Sequence, residues 1–247
     1  MRIDGVRIPA RDLTILRPFY SQALGLPLVS DGADAFAVQI GPTRLTFARV
    51  DGADDPGAQH FAFTIPRNQL AAGKAWLAGR AALLTLGADD EFSAASWRAQ
   101  QVYFRDPAGN ILELIARQTL DNAATGPFDA AGRRHRQSRH RGRTLDNAAT
   151  GPFDAGHLLN VSEVGLPTDD VPGAVAALGR EFGLAVYGEV SDTFTAVGDA
   201  HGLLIVVQAG RHWFPTTTAA QDVPIAVTLA GAGGVVARGA WTVRGGR

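Results

Sequence analysis

Residues 102–117 read VYFRDPAGNILELIAR, two strand-like runs joined by Asp106-Pro107-Ala108-Gly109-Asn110. Pro, Gly and Asn in that order suit a compact turn, so the segment is a hairpin. In its second run Leu112, Leu114 and Ala116 share one face, which leaves Glu113 on the other. Upstream, HFAFTIP at 60–66 alternates in the same way. Phe61, Phe63 and Ile65 point together, with His60, Ala62 and Thr64 opposite. The apolar sets suit a helix-packed side. His60 and Glu113 therefore lie on the face turned away from the helices.

Working outward, the order strand–helix–strand–strand–strand occurs three times. The first unit opens with RIDGVRIPA. Asp12 can cap its helix and Gly25 can end it, while Pro18 is awkward inside and sets the start of the regular helix. Strands near 27–30, 35–40 and 43–49 follow. The second unit has HFAFTIP, a helix across 67–82 with Leu70, Ala71, Ala75 and Leu77 in its apolar stripe, then strands near 83–87, 100–105 and 110–117. The third has SEVGLPTDD, a helix over 171–182, and the strands LAVYGE, TFTAVG and GLLIVVQAG. PIAVTLAG opens a fourth unit that lacks its helix, and the Gly-rich end holds one further strand or a loose tail.

The 247-residue chain has no cysteine, which excludes disulfides, zinc-thiolate sites, iron–sulfur clusters and thiol catalysis. No apolar run approaches the ~20 residues of a membrane helix, and the start lacks a signal peptide's apolar stretch, so the expectation is a cytoplasmic protein with no membrane partner. The net charge of −1 conceals an asymmetry. Arg133, Arg134, Arg136, Arg139, Arg141 and Arg143 lie in 131–143, and the other 234 residues carry 17 basic and 24 acidic groups, net −7. Around this basic stretch TLDNAATGPFDA occurs twice, at 119–130 and 144–155. Identity over that length marks a tandem duplication, and the basic segment is open to reading as the same DNA out of frame. An arginine cluster can neutralise phosphates, but this one has no aromatic residue to stack bases and no helical period. An inserted loop is the better account, and no nucleic-acid partner is expected.

These residues resemble the vicinal oxygen chelate superfamily, which includes glyoxalase I, extradiol ring-cleaving dioxygenases, and bleomycin and fosfomycin resistance proteins. The match rests on DLTILRPFYSQALGL at 12–26, on HFAFTIP and on VYFRDPAGNILELIAR, and extends more weakly over 161–230. It implies an α+β fold of paired βαβββ modules forming an open mixed β-barrel around a divalent metal. Residues 1–117 would be one such domain (modules 1–50 and 58–117), 118–156 a linker, and 157–247 a partial second domain. The partial domain would pack on the first or complete a barrel in a homodimer.

The resemblance further implies that His60 and Glu113 hold the metal, Fe(II) or Mn(II), with Zn or Ni as alternatives. Gly5 stands where the superfamily often places a further ligand, and RLTFAR at 44–49 supplies no carboxylate or imidazole. In the third unit Glu163 takes the first-strand ligand position. Its pairing position on PIAVTLAG is Pro224, so no second complete site is expected. Tyr103 and Arg7 are the candidate catalytic side chains: Arg7 shares the face of Gly5 and would attract an anion, and Tyr103 offers a hydroxyl. His201 and His212 fall at turns and read as surface or packing residues. The function implied is a metal-dependent enzyme on a small oxygen-rich substrate, closest to a ring-cleaving dioxygenase or glyoxalase. The alternative is a non-catalytic small-molecule-binding protein with a degenerate metal site.

Overall fold

The computed structural model describes residues 1–50, 56–124, 152–231 and 233–246. The basic stretch and most of the duplicated segment lie outside the described residues.

In the first module β1 (Ile3–Ala10) leads into α1 (Leu13–Pro18), whose first turn is capped by Asp12 accepting from the Thr14 amide at 2.8 Å. The helix thus begins before Pro18 instead of at it. Pro18 supplies no amide hydrogen to the ladder, and the chain continues as a π-helical turn over Phe19–Ala23. β2 (Leu28–Asp31), β3 (Ala35–Ile40) and β4 (Thr43–Arg49) complete the module. The second contains β5 (His60–Thr64), α2 (Leu70–Leu77), β6 (Phe92–Ala94), β7 (Ala99–Arg105) and β8 (Ile111–Arg117). α2 is half the expected length, being weakened by Gly73 and followed, after its cap residue Ala78, by Gly79. Residues 83–87 form only isolated bridges, and β6 takes the sheet edge instead.

The third module comprises β9 (Asn160–Thr168), α3 (Val171–Phe182), β10 (Val186–Ser191), β11 (Phe194–Asp199) and β12 (Gly202–Gln208). The fourth is helix-free among the described residues: β13 (Ala226–Leu229), β14 (Val235–Arg238) and β15 (Trp241–Gly245). The tail therefore holds two strands, and α3 packs against β14 as well as β11 and β12, which covers the face left bare by the absent helix.

Sheet pairing does not follow the division after residue 117. One sheet runs β14-β15-β13-β1-β4-β3-β2 and joins the first module to the fourth. The other, a curled half-barrel, runs β10-β11-β12-β9-β5-β8-β7-β6 and joins the second to the third. Within a module the opening strand pairs only with the closing strand, so its other edge is free. Those free edges are buried by antiparallel pairing of β1 with β13 and of β5 with β9. Between the sheets lies one core, with Val6, Ile8 and Phe47 from the first and Phe61, Phe63, Leu114 and Val164 from the second. Each such side chain contributes roughly 1.5–3 kcal/mol by leaving water. The α+β class and the paired-module architecture are those expected from the sequence. Among the described residues no helix is long and apolar enough to cross a membrane.

Candidate metal centre

The register of the second sheet places Leu203, Glu163, Ala62, Glu113 and Tyr103 in one row across five neighbouring strands. Glu163 and Glu113 stand on either side of Ala62, whose methyl group leaves the space between them open. His60 lies two residues earlier on the strand of Ala62 and so on the same face. One potential ligand atom from each of His60, Glu113 and Glu163 lies within 4.8 Å of the others. His60 Nε2 is 3.6 Å from Glu113 Oε2 and 4.0 Å from Glu163 Oε2.

Glu163, read from the sequence as half of a separate site with Pro224, thus stands with His60 and Glu113. Pro224 precedes β13, where the register sets Ala226 opposite Arg7 and Thr228 opposite Gly5. Arg7 is correspondingly misplaced by the sequence reading. It lies on the first sheet, exposed, and lines a different cavity from His60. The sharing of β5 and β9 in one sheet could not be read from the order of the modules along the chain.

The Nδ1 of His60 is 3.1 Å from the Ile111 carbonyl, which can only accept, so Nδ1 carries the proton and the Nε2 lone pair faces the carboxylates. Burial lowers the pKa of His60 to about 4, which keeps the ring neutral. Glu113 and Glu163 are 1% and 2% exposed. Burial raises both carboxyl pKa values. For Glu113 the negative charge of Glu163 adds to the rise, while Arg117, Tyr103 and Gln101 oppose it. Arg117 is wholly buried. It forms an ion pair with Glu163 and donates to Ser162 Oγ at 3.1 Å and Thr64 Oγ1 at 3.4 Å. Two carboxylates, one guanidinium and a neutral imidazole leave an excess negative charge, which either a proton or a cation must offset.

A divalent cation fits this set. Among the described residues the Oε1 of Glu113 is buried with no hydrogen-bond partner, His60 turns a lone pair inward, and all the donors are nitrogen or oxygen. The three are His60 on β5, Glu113 on β8 and Glu163 on β9. Glu113 pairs with the residue two after His60, and the residue two after Glu163 pairs with Ile205. Ile205 on β12 therefore occupies the place where a fourth ligand would stand.

The turn at 106–110 anchors the histidine. Asp106 Oδ1 accepts from the Ala108 and Asn110 amides, and Oδ2 accepts from Tyr20 Oη at 2.8 Å and Asn110 Nδ2 at 2.7 Å. Asn110 Oδ1 in turn accepts from the Gln59 amide at 2.8 Å, and the Ile111 amide donates to the Gln59 carbonyl. The residue before His60 is clamped at both backbone polar groups.

Above the cluster opens a cavity of about 360 Å³, lined by Trp97, Tyr103, Phe194, Trp213 and Phe214. Trp213 lies 5.4 Å from His60, ring to ring, over Gly165, where a Cβ would stand 2.4 Å from the indole. Arg211 reaches over Phe194 at 5.2 Å, and His212 lines the same cavity, whereas His201 is an exposed turn residue. Sequence reasoning missed Arg117, although alternation puts it on the face of Glu113. It also missed Trp213, for which no local signal exists.

The family model described as a glyoxalase-like domain matches residues 5–115. A structure described as a "putative dioxygenase" from Bacillus subtilis aligns over 99% of this chain and 85% of its own, with a TM-score of 0.60 and 16% identity. A glyoxalase I variant from Zea mays aligns over 99% and 91%, with a TM-score of 0.54 and 14% identity. No curated protein matches the sequence. Residues 5–115 thus resemble a glyoxalase-like domain, and the fold of the whole chain is shared with these dioxygenase and glyoxalase I structures.

Proposed function

We propose that the chain is a divalent-metal-dependent enzyme acting on a small oxygen-rich substrate, of the glyoxalase or ring-cleaving dioxygenase type. His60, Glu113 and Glu163 would hold the metal, Fe(II) or Mn(II), with Zn or Ni as alternatives. The observation that carries this reading is the convergence of the three donors on the floor of an aromatic cavity. When bound, such a metal supplies Lewis-acid polarisation of paired substrate oxygens.

The protein's own groups set the rest. The hydroxyl of Tyr103 keeps its proton, because burial and the neighbouring Glu113 and Glu163 push its pKa well above the ordinary value, so it acts as a donor to a substrate oxygen. Trp97, Phe194 and Trp213 exclude water and hold a flat or apolar substrate body. Arg211 at the cavity wall suits a carboxylate on the substrate's far end.

Metal analysis after purification, followed by titration with Mn(II), tests the proposal. Wild type should bind one equivalent, His60→Ala and Glu163→Gln should bind at least tenfold more weakly, and loss of metal should abolish turnover. Absence of saturable binding of Fe, Mn, Zn or Ni sinks the enzyme reading. The alternative, a ligand-binding protein without chemistry, draws on Ile205 at the fourth position. It predicts ligand binding that does not change when metal is removed.

A further inference from the structure

The first sheet carries a second cup, and its register mirrors the metal centre residue for residue. Arg7 on β1 pairs with Thr46 on β4 and Ala226 on β13, as Ala62 pairs with Glu113 and Glu163. Gly5, two residues before Arg7, takes the place of His60. Both carboxylates and the imidazole are therefore replaced by Thr46, Ala226 and Gly5. A guanidinium rises from the position that Ala62 leaves open. Where one cup gathers groups that could hold a cation, the other has a cation built in.

Two further arginines face the same cup. The row next to Arg7 reads Arg244, Thr228, Gly5, Arg44 across four adjacent strands. Gly5 and Thr228 form a low floor between the two arginines. Arg7, Arg44, Arg244, Thr46 and Thr228 line a cavity of about 380 Å³. The one acid on its wall among the described residues, Asp4, is taken up by an ion pair with Arg2 at 2.7 Å. Among the described residues, no hydrogen bond or ion pair is formed by the side chains of Arg7, Arg44 and Arg244, whereas Arg17 pairs with Asp31 and Arg117 with Glu163. Three unpaired like charges gathered at one concavity repel one another and focus a positive potential there. Flanking hydroxyls supply further donors, and the lack of aromatic walls among the described residues distinguishes this cup from the cavity above His60.

We propose that this second cup binds a small, multiply charged oxyanion through Arg7, Arg44 and Arg244, with Thr46 and Thr228 as hydroxyl donors. Guanidinium groups recognise phosphate and carboxylate oxygens by paired N–H donors, and a pocket of this size admits a small molecule and not a macromolecule. The site is independent of the metal centre and of the activity proposed for it.

Calorimetric titration of the full chain with inorganic pyrophosphate, and separately with citrate, at low and at physiological ionic strength tests this. Pyrophosphate or citrate should bind saturably with one site. The tighter of the two identifies phosphate or carboxylate as the preferred group. Arg7→Met should weaken binding by roughly tenfold and Arg7→Glu should abolish it, while Glu163→Gln and Arg211→Met leave it unchanged. Arg7 is exposed, and an unaltered melting temperature and circular dichroism spectrum of Arg7→Met would show that the fold is kept. The proposal is overturned if Arg7→Met binds as tightly as wild type, if neither anion saturates, or if Arg211→Met causes the loss. It is also overturned if a short oligonucleotide binds far more tightly than either small anion.

Discussion

Arg117→Met tests the electrostatic reading of the metal centre most directly. The substitution keeps the side chain's length and apolar stem and removes its charge. Arg117 is wholly buried, pairs with Glu163, and bonds to Ser162 and Thr64. Removing one partner of a buried pair costs about 3–5 kcal/mol, because the other charge is left uncompensated. With a urea slope of about 2–3 kcal/mol/M, the unfolding midpoint should fall by roughly 1–2.5 M in metal-free buffer. Without the guanidinium the Glu163 carboxyl, already above its ordinary range, rises further. A raised carboxyl pKa gives stability that is present in acid and lost as pH rises through it, so the deficit should deepen with pH. Mn(II) offers a replacement cation. At a hundred times its dissociation constant, a ligand stabilises the native state by about 2.7 kcal/mol. At one fixed Mn(II) concentration the variant should gain more than the wild type, by about 1.4 kcal/mol for each tenfold tighter binding. Urea titrations with and without Mn(II), at two pH values, measure all three effects. An unchanged metal-free midpoint, or a smaller gain from Mn(II) in the variant, would refute the charge assignment.

Metal affinity should rise with pH by up to about one logarithmic unit per pH unit, then level off above the raised carboxyl pKa of the Glu113–Glu163 pair, because the metal displaces the proton held there. His60, with its pKa near 4, adds no slope above that value. Calorimetry in two buffers of different ionisation enthalpy reads the proton release, and Glu113→Gln should flatten it. Asn110→Ala strips a partner from the Gln59 amide and from Asp106 Oδ2, for a stability loss of about 2–4 kcal/mol by denaturant titration. It should also weaken metal binding by about 10–100-fold, as loss of a ligand's support does. Ile205→His adds a donor at the fourth position and should tighten Zn(II) or Mn(II) binding by at least about tenfold in a competition assay with a chelator. Gly165→Ala drives a methyl group into the Trp213 indole, and should lower stability by about 1–3 kcal/mol and change the tryptophan emission.

His60 and Glu113 were legible because strand alternation assigns a face to each side chain without any knowledge of neighbours. α3 was legible over its full span: Asp170 caps it, accepting from the Gly173 amide at 2.9 Å, and Gly183 ends it in a left-handed conformation, signals that act within one turn. α1 was misjudged because Pro18 can begin a helix or close one, and the packing of Leu13 and Leu16 decided between them. α2 was overextended because its apolar stripe continues past the point where Gly79 lets it stop.

Local alternation and turn chemistry, both set within a few residues, determined the modules, the hairpin at 102–117 and the inward face of His60 and Glu113. Which module pairs with which is a matter of free strand edges that lie far apart in the chain, and only the tertiary structure decided it. That decision put Glu163 beside Glu113 and His60, gave Arg117 its partner, and moved Arg7 to the opposite sheet. Gly5, which looked like a gap in the metal site, belongs to the floor of a different cup. The absence of cysteine left histidine and carboxylate as the side chains that could hold a metal, and pairing across the two halves of the chain brought the third of them beside the other two.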